Sequence, residues 1–150
     1  MVSAYTSHPY LLSATRDLPM EFFATADGSL TPSLLQDRII GPRFAEVCAS
    51  IDRILSWDAT SDTDTMYCLW GHFLVRREPI QSGLRFTLPN CPNALAWTLT
   101  AEPDGVLIHC TINRPTHEPD FIQSIETFVE EWRQGLEMMG DSHAASVIFA

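Results

Sequence analysis

Lysine is absent from this sequence, so nine arginines carry all the charge that lysine and arginine usually share. Schiff-base and lysine general-base chemistry are therefore excluded. Positive charge is scarce in general: nineteen Asp and Glu outweigh the arginines and leave a formal net charge of -10. With no basic patch along the chain, nucleic acid and anionic membrane surfaces are not expected partners. No C-x-x-C pair occurs. Cys48, Cys68, Cys91 and Cys110 are far apart, and the expectation is free, mostly buried thiols in a reducing compartment. No apolar run approaches the roughly 18 residues of a membrane span, and Met1 to Leu12 lacks the basic start of a signal peptide. A cytoplasmic location is the resulting expectation. G-x-S-x-G, P-loop, G-x-G-x-x-G and H-E-x-x-H motifs are all missing, so no cofactor is expected.

What the sequence does hold is most legible from Leu95 to Met139. Leu95, Trp97 and Leu99 alternate with Ala96, Thr98 and Thr100. After Pro103-Asp104-Gly105 the alternation resumes as Val106, Ile108, Cys110 and Ile112 against Leu107, His109, Thr111 and Asn113. Period-two patterning around a Pro-Asp-Gly turn reads as a hairpin. Arg114-Pro115 ends it. An acidic first turn, Glu118-Pro119-Asp120, then opens a helix whose apolar stripe runs through Phe121, Ile122, Ile125, Phe128, Val129, Trp132, Leu136 and Met139, with Gly140 as its stop. The helix is expected on the Trp97/Ile108 face of the hairpin.

Upstream, residues 1–16 read as a possible irregular arm and Met20 to Thr25 as a short strand. Thr31-Pro32 starts a helix to Ile40. A second helix is expected from Pro42 to Leu55, because Phe44, Val47, Cys48, Ile51, Ile54 and Leu55 recur at helical spacing. The polar run Asp58 to Thr65 is a loop. Met66 to Arg76 reads as one strand with two apolar faces, and Leu84, Phe86 and Leu88 as the next, after a turn at Ile80 to Gly83. The expected fold class is α+β over one domain, residues 1–150: N-terminal helices, a four-stranded antiparallel meander, and a C-terminal amphipathic helix packed on one sheet face.

The meander's other face would gather Arg85, Thr87, Thr98, Thr100, His109 and Thr111, with Trp70 and His72 nearby. An imidazole, a guanidinium and several hydroxyls could hold a small oxygenated ligand, although an ordinary solvated sheet face carries the same residue types. No metal site is expected. His109 and Cys110 are strand neighbours that point to opposite faces, and Cys68 and His72 sit two pleats apart. Cys91, in the Asn-Cys-Pro-Asn loop, is the most exposed thiol candidate, and His117, Glu118 and Asp120 are accounted for by helix capping.

A strand at Trp97 to Thr100, the turn Asp104-Gly105-Val106-Leu107, a second strand ending at Ile112-Asn113-Arg114, and the helix from Phe121 to Met139 follow in order. In this, residues 94–139 resemble the C-terminal tail of the acyltransferase superfamily that includes nonribosomal-peptide condensation and epimerization domains and fungal O-acetyltransferases. That superfamily's catalytic His-His-x-x-x-Asp motif has no counterpart in the chain. The resemblance implies a partial relative without the usual active site.

Two functions stay open at this point. One is a small acidic binding or accessory protein, holding an apolar small molecule or a protein partner, and a possible homodimer; eight Phe, four Trp and three Tyr exceed what a minimal core needs and suggest apolar surface left over. The other is a cofactor-independent enzyme of isomerase or cyclase type, with His109 as general acid/base and Arg85 steadying an oxyanion.

Overall fold

A computed structural model describes residues 18–58 and 60–149, with side chains as far as residue 145. The expected arm at residues 1–16 lies outside the described residues. Seven strands form one antiparallel sheet: β1 (Met20–Asp27), β2 (Ile51–Ser56), β3 (Thr63–Cys68), β4 (Gly71–Ile80), β5 (Gly83–Thr87), β6 (Ala96–Glu102) and β7 (Gly105–Ile112). Their order across the sheet is β1-β7-β6-β5-β4-β3-β2, so every neighbour is consecutive in sequence except β1 and β7. Two short helices, α1 (Pro32–Arg38) and α2 (Phe44–Val47), with a single 3-10 turn at Gly41–Arg43 between them, join β1 to β2. The long helix α3 (Pro119–Phe149) follows β7.

The expectation of a four-stranded meander is thus wrong, and three local readings account for it. Met66 to Arg76 is not one strand. Leu69 and Trp70 form a two-residue turn, closed by Gly71 at φ 110°, and the chain folds back so that Cys68 pairs with Gly71 and Met66 with Phe73. A glycine at positive φ supplies the conformation that such a tight hairpin needs. The helix expected from Pro42 to Leu55 ends at Val47, and Ile51–Ser56 is the edge strand β2. A helical stripe would bury Leu55, yet it is 43% exposed, while Ile51 is buried and Ile54 half-buried on the strand's inner side. β-Branched Ile51 and Ile54 suit a strand, and the Phe44 to Ile51 spacing is shared by both readings. Finally, Met20–Asp27 is a full strand, paired along its length with β7 from Met20–Ile112 to Asp27–Gly105. Of the polar run expected as a loop, Thr63, Asp64 and Thr65 belong to β3.

α1 has the start that its sequence specifies: the Thr31 hydroxyl oxygen accepts from the Leu34 N–H at 3.1 Å, with Pro32 at the first helical position. α3 runs past Gly140 to Phe149. It lies across the inner sheet face, burying Ile125, Phe128, Val129, Trp132 and Leu136. Five large aromatic side chains meet beneath it, all essentially inaccessible: Phe44, Phe86, Trp97, Phe128 and Trp132. Phe86 and Trp97 are directly opposite on β5 and β6 and stack at 4.9 Å; Phe128 meets Trp97 edge-on at 4.9 Å and Trp132 lies 6.1 Å from it. Each such burial contributes about 1.5–3 kcal/mol before conformational entropy is subtracted. Five of the fifteen Phe, Trp and Tyr side chains are thus fully inside.

Candidate functional site

The seven-stranded register sets most of the residues expected to form a site in adjacent rows of one outer sheet face. One row across the outer face reads Phe23, His109, Thr98, Arg85 and Glu78, each opposite the next on neighbouring strands. The next row carries Glu21, Thr111, Ala96, Thr87 and Arg76, and Thr100 faces Leu107 on the other side. His109 and Arg85 thus flank Thr98, two strand spacings or roughly 10 Å apart in the backbone. The His109 ring does not turn toward Arg85. Its Nε2 is 3.0 Å from Glu21 Oε1 and its plane lies flat on Phe23, with ring centres 4.4 Å apart. Phe23 is itself 59% exposed, and Arg85 is exposed, so this row is open to solvent. His72 is also on the outer face, edge-on to Tyr67, beyond the end of β5.

Trp70 is not on that face. From the β3–β4 turn its indole reaches the inner side, where Nε1 donates to Ser124 Oγ at 2.9 Å and the ring packs on Phe121 and Phe128. The sequence reading missed this because the turn at Leu69-Trp70 removes Trp70 from strand alternation. Two further ties fix α3. Ser50 donates its hydroxyl to Glu131, and Glu137 Oε1 accepts from the Asp27 backbone N–H at 3.1 Å. That backbone bond, then Arg133, holds the Glu137 carboxyl below its usual range. From Ser124 to Glu137 the helix is pinned over about 20 Å.

Pinned in this way, α3 and the sheet enclose the aromatic cluster. The Trp97 and Trp132 indole N–H groups have no hydrogen-bond partner there, a cost accepted for aromatic packing. Burial pushes the Cys48 and Cys110 thiols up to about 12, which leaves both protonated and unreactive.

Open space is found instead at the rim. Between α2 and the second half of α3 runs a groove of about 380 Å³, within the range of roughly 300–1,000 Å³ common to small-molecule sites. Val47, Gly135, Met138 and Met139 give it an apolar floor; Arg38, Arg43 and Glu46 stand on its edge with Ser142. Gly135 makes the close approach possible: a Cβ there would come within 1.6 Å of the Val47 carbonyl oxygen. Met138 is 69% exposed, a large apolar side chain left uncovered in the groove. Among the described residues neither arginine is in an ion pair. Sequence reasoning missed this site, since Arg38 and Arg43 lie about 100 residues from Met138 and only the fold unites them.

A sheet gripped by one long C-terminal helix, with two short helices between the first two strands, has solved counterparts. The chain superposes on the protein XoxI from Bacillus cereus with a TM-score of 0.56 at 11% identity, over 81% of this chain and 94% of that one. It superposes on Ara h 8.0201 with a TM-score of 0.52 at 12% identity, over 83% and 99%. This is the helix-grip, or Bet v1-like, fold. A putative uncharacterized protein from Bacillus thuringiensis shares it, at a TM-score of 0.55 and 9% identity over 81% and 98%. No protein-family model matches the chain, and no curated protein is similar to it in sequence. None of these likenesses bears on the resemblance of residues 94–139 to the condensation-domain tail. Among the described residues no helix is long and apolar enough to cross a membrane, and no three His, Cys, Asp or Glu side chains cluster as metal ligands.

Proposed function

We propose that the protein is a binding protein for an apolar small molecule with an anionic end, held in the groove between α2 and α3. The observation that carries this reading is the pairing of Met138, Met139 and Val47 with Arg38 and Arg43 around one concave space. Methionine adapts to varied apolar shapes, and guanidinium groups pair with a carboxylate. In a chain of net charge -10 an anion is repelled from most of the surface, so two converging arginines select where it binds. The interior under α3 is a poorer host, because a ligand there would have to displace buried indoles. Among the described residues the row that holds His109 and Arg85 is open to solvent, and the His109 ring faces Glu21 and Phe23, which does not favour a catalytic role for the pair.

Calorimetric titration with decanoate and with decanol tests the reading. Decanoate should bind saturably and decanol more weakly. In the double variant Arg38→Gln/Arg43→Gln the decanoate affinity should fall by roughly tenfold, the sum of two partly exposed ion pairs. Equal affinity of the double variant and the parent, or no binding of either probe, would remove the groove from consideration.

A further inference from the structure

A second cleft, between the β2–β3 loop and β4, is smaller and differently built. Its volume is about 220 Å³, and its walls are Trp57, Asp64, Arg77 and Pro79 with the start of β3 and the loop before it. Asp64 is the unusual member. It points to the inner side of β3, in register with buried Val75, and is only 3% exposed, yet its Oδ1 has no hydrogen-bond partner among the described residues. A buried carboxylate oxygen without a donor is costly and is seldom retained without a use.

The cleft's own cation, Arg77, makes no hydrogen bond to it. Arg77 is turned to the end of α1, where its guanidinium donates to the carbonyl of Ile39 at 2.8 Å and to that of Gln36. It is not in ion-pair contact with Asp64. Arg76 is 3.6 Å from Asp62, which leaves Asp62 paired. The Thr60 and Ser61 hydroxyls donate within the loop, to Asp58 and to the Thr63 carbonyl. What stays unused is one acceptor carrying negative charge and the Trp57 ring. That ring lies so close over Gly41 that a Cβ there would be 2.7 Å from it. An aromatic face beside a carboxylate recognises a compact organic cation that carries N–H donors. The described residues offer no third acidic, His or Cys group, so a bare metal ion is not the match.

We propose that this cleft binds a small primary ammonium compound, which donates N–H to the Asp64 carboxylate where it lines the cleft and lays its hydrocarbon part against Trp57 and Pro79. The site is independent of the groove between α2 and α3. Asp62 and Arg77 are the other charged groups facing Asp64. Burial holds the Asp64 carboxyl above the usual carboxylate range, partly offset by Arg77, so affinity for the cation rises as pH climbs through that range and Asp64 ionises.

Titration with n-butylammonium chloride, n-butanol and tetramethylammonium chloride, read by calorimetry on the whole chain, tests the assignment. Butylammonium should saturate at roughly millimolar concentration or below. Butanol lacks the charge and tetramethylammonium lacks the N–H groups, so both should bind at least tenfold more weakly. Asp64→Asn should abolish butylammonium binding while melting no lower than the parent, and Trp57→Leu, which keeps an apolar group over Gly41, should weaken it several-fold. The proposal is overturned by absence of saturation, by butanol or tetramethylammonium binding as tightly, or by undiminished affinity in either variant.

Discussion

At the scale of single residues, a carboxylate buried without a partner makes stability depend on pH. Desolvation raises the folded-state pKa of Asp64 above its unfolded value. The stability contributed at this position is therefore fully present below the ordinary carboxylate range and is lost as pH rises through the folded-state value. Asp64→Asn should accordingly melt above the parent at neutral pH, and the difference should shrink as the solution is acidified. A variant that melts lower at neutral pH would show that the charge is compensated. The thiols provide a second residue-level test. Cys48, Cys68 and Cys110 are buried with raised pKa values, whereas Cys91 is half-buried in its loop. Iodoacetamide on the native protein should modify Cys91 first, by at least tenfold in rate, because alkylation follows the thiolate and its access. Mass spectrometry showing early label at Cys110 would contradict the packing described for β7.

At the scale of elements, the contact that shapes the groove is the one at Gly135. Gly135→Ala gains about 1 kcal/mol in helix propensity, but overpacking a closed contact costs typically about 1–3 kcal/mol. With the added Cβ aimed at the Val47 carbonyl oxygen, the loss should exceed the gain, and urea unfolding should show a net destabilisation. A more stable variant would mean that α2 and α3 are further apart. Elements also show where sequence patterning works. The β6–β7 hairpin, the α1 cap and the buried stripe of α3 were legible because each repeats one period over enough residues to exclude the other. Ile51 to Leu55 was not legible. Its apolar spacing extends the helical run from Phe44 without a break, and the pairing with β3 that makes it a strand is a tertiary fact. The turn at Leu69-Trp70 was hidden for a different reason. It has none of the Asn-Gly or Asp-Gly chemistry that marks a tight hairpin, and only Gly71 hints at it.

At the scale of the whole molecule, seven strands and a pinned helix close over a cluster of five aromatic side chains. The groove and the cleft at Asp64 both lie outside that cluster. The outer sheet face could be composed from the sequence nearly residue by residue, since Arg85, Thr98 and His109 do share it. What could not be read was that Glu21 and Phe23 of β1 would claim His109, because β1 joins β7 across the whole length of the chain. The groove was equally invisible, as it needs α1, α2 and α3 together. A ligand in the groove leaves the interior intact, and methionine methyl NMR during a decanoate titration distinguishes that from a ligand beneath α3. Met138 and Met139 line the groove and Met66 is buried in the core. The methyl signals of Met138 and Met139 should shift saturably while that of Met66 stays fixed. Movement of the Met66 signal with Met138 and Met139 unmoved would place the ligand under α3 and rule out the groove.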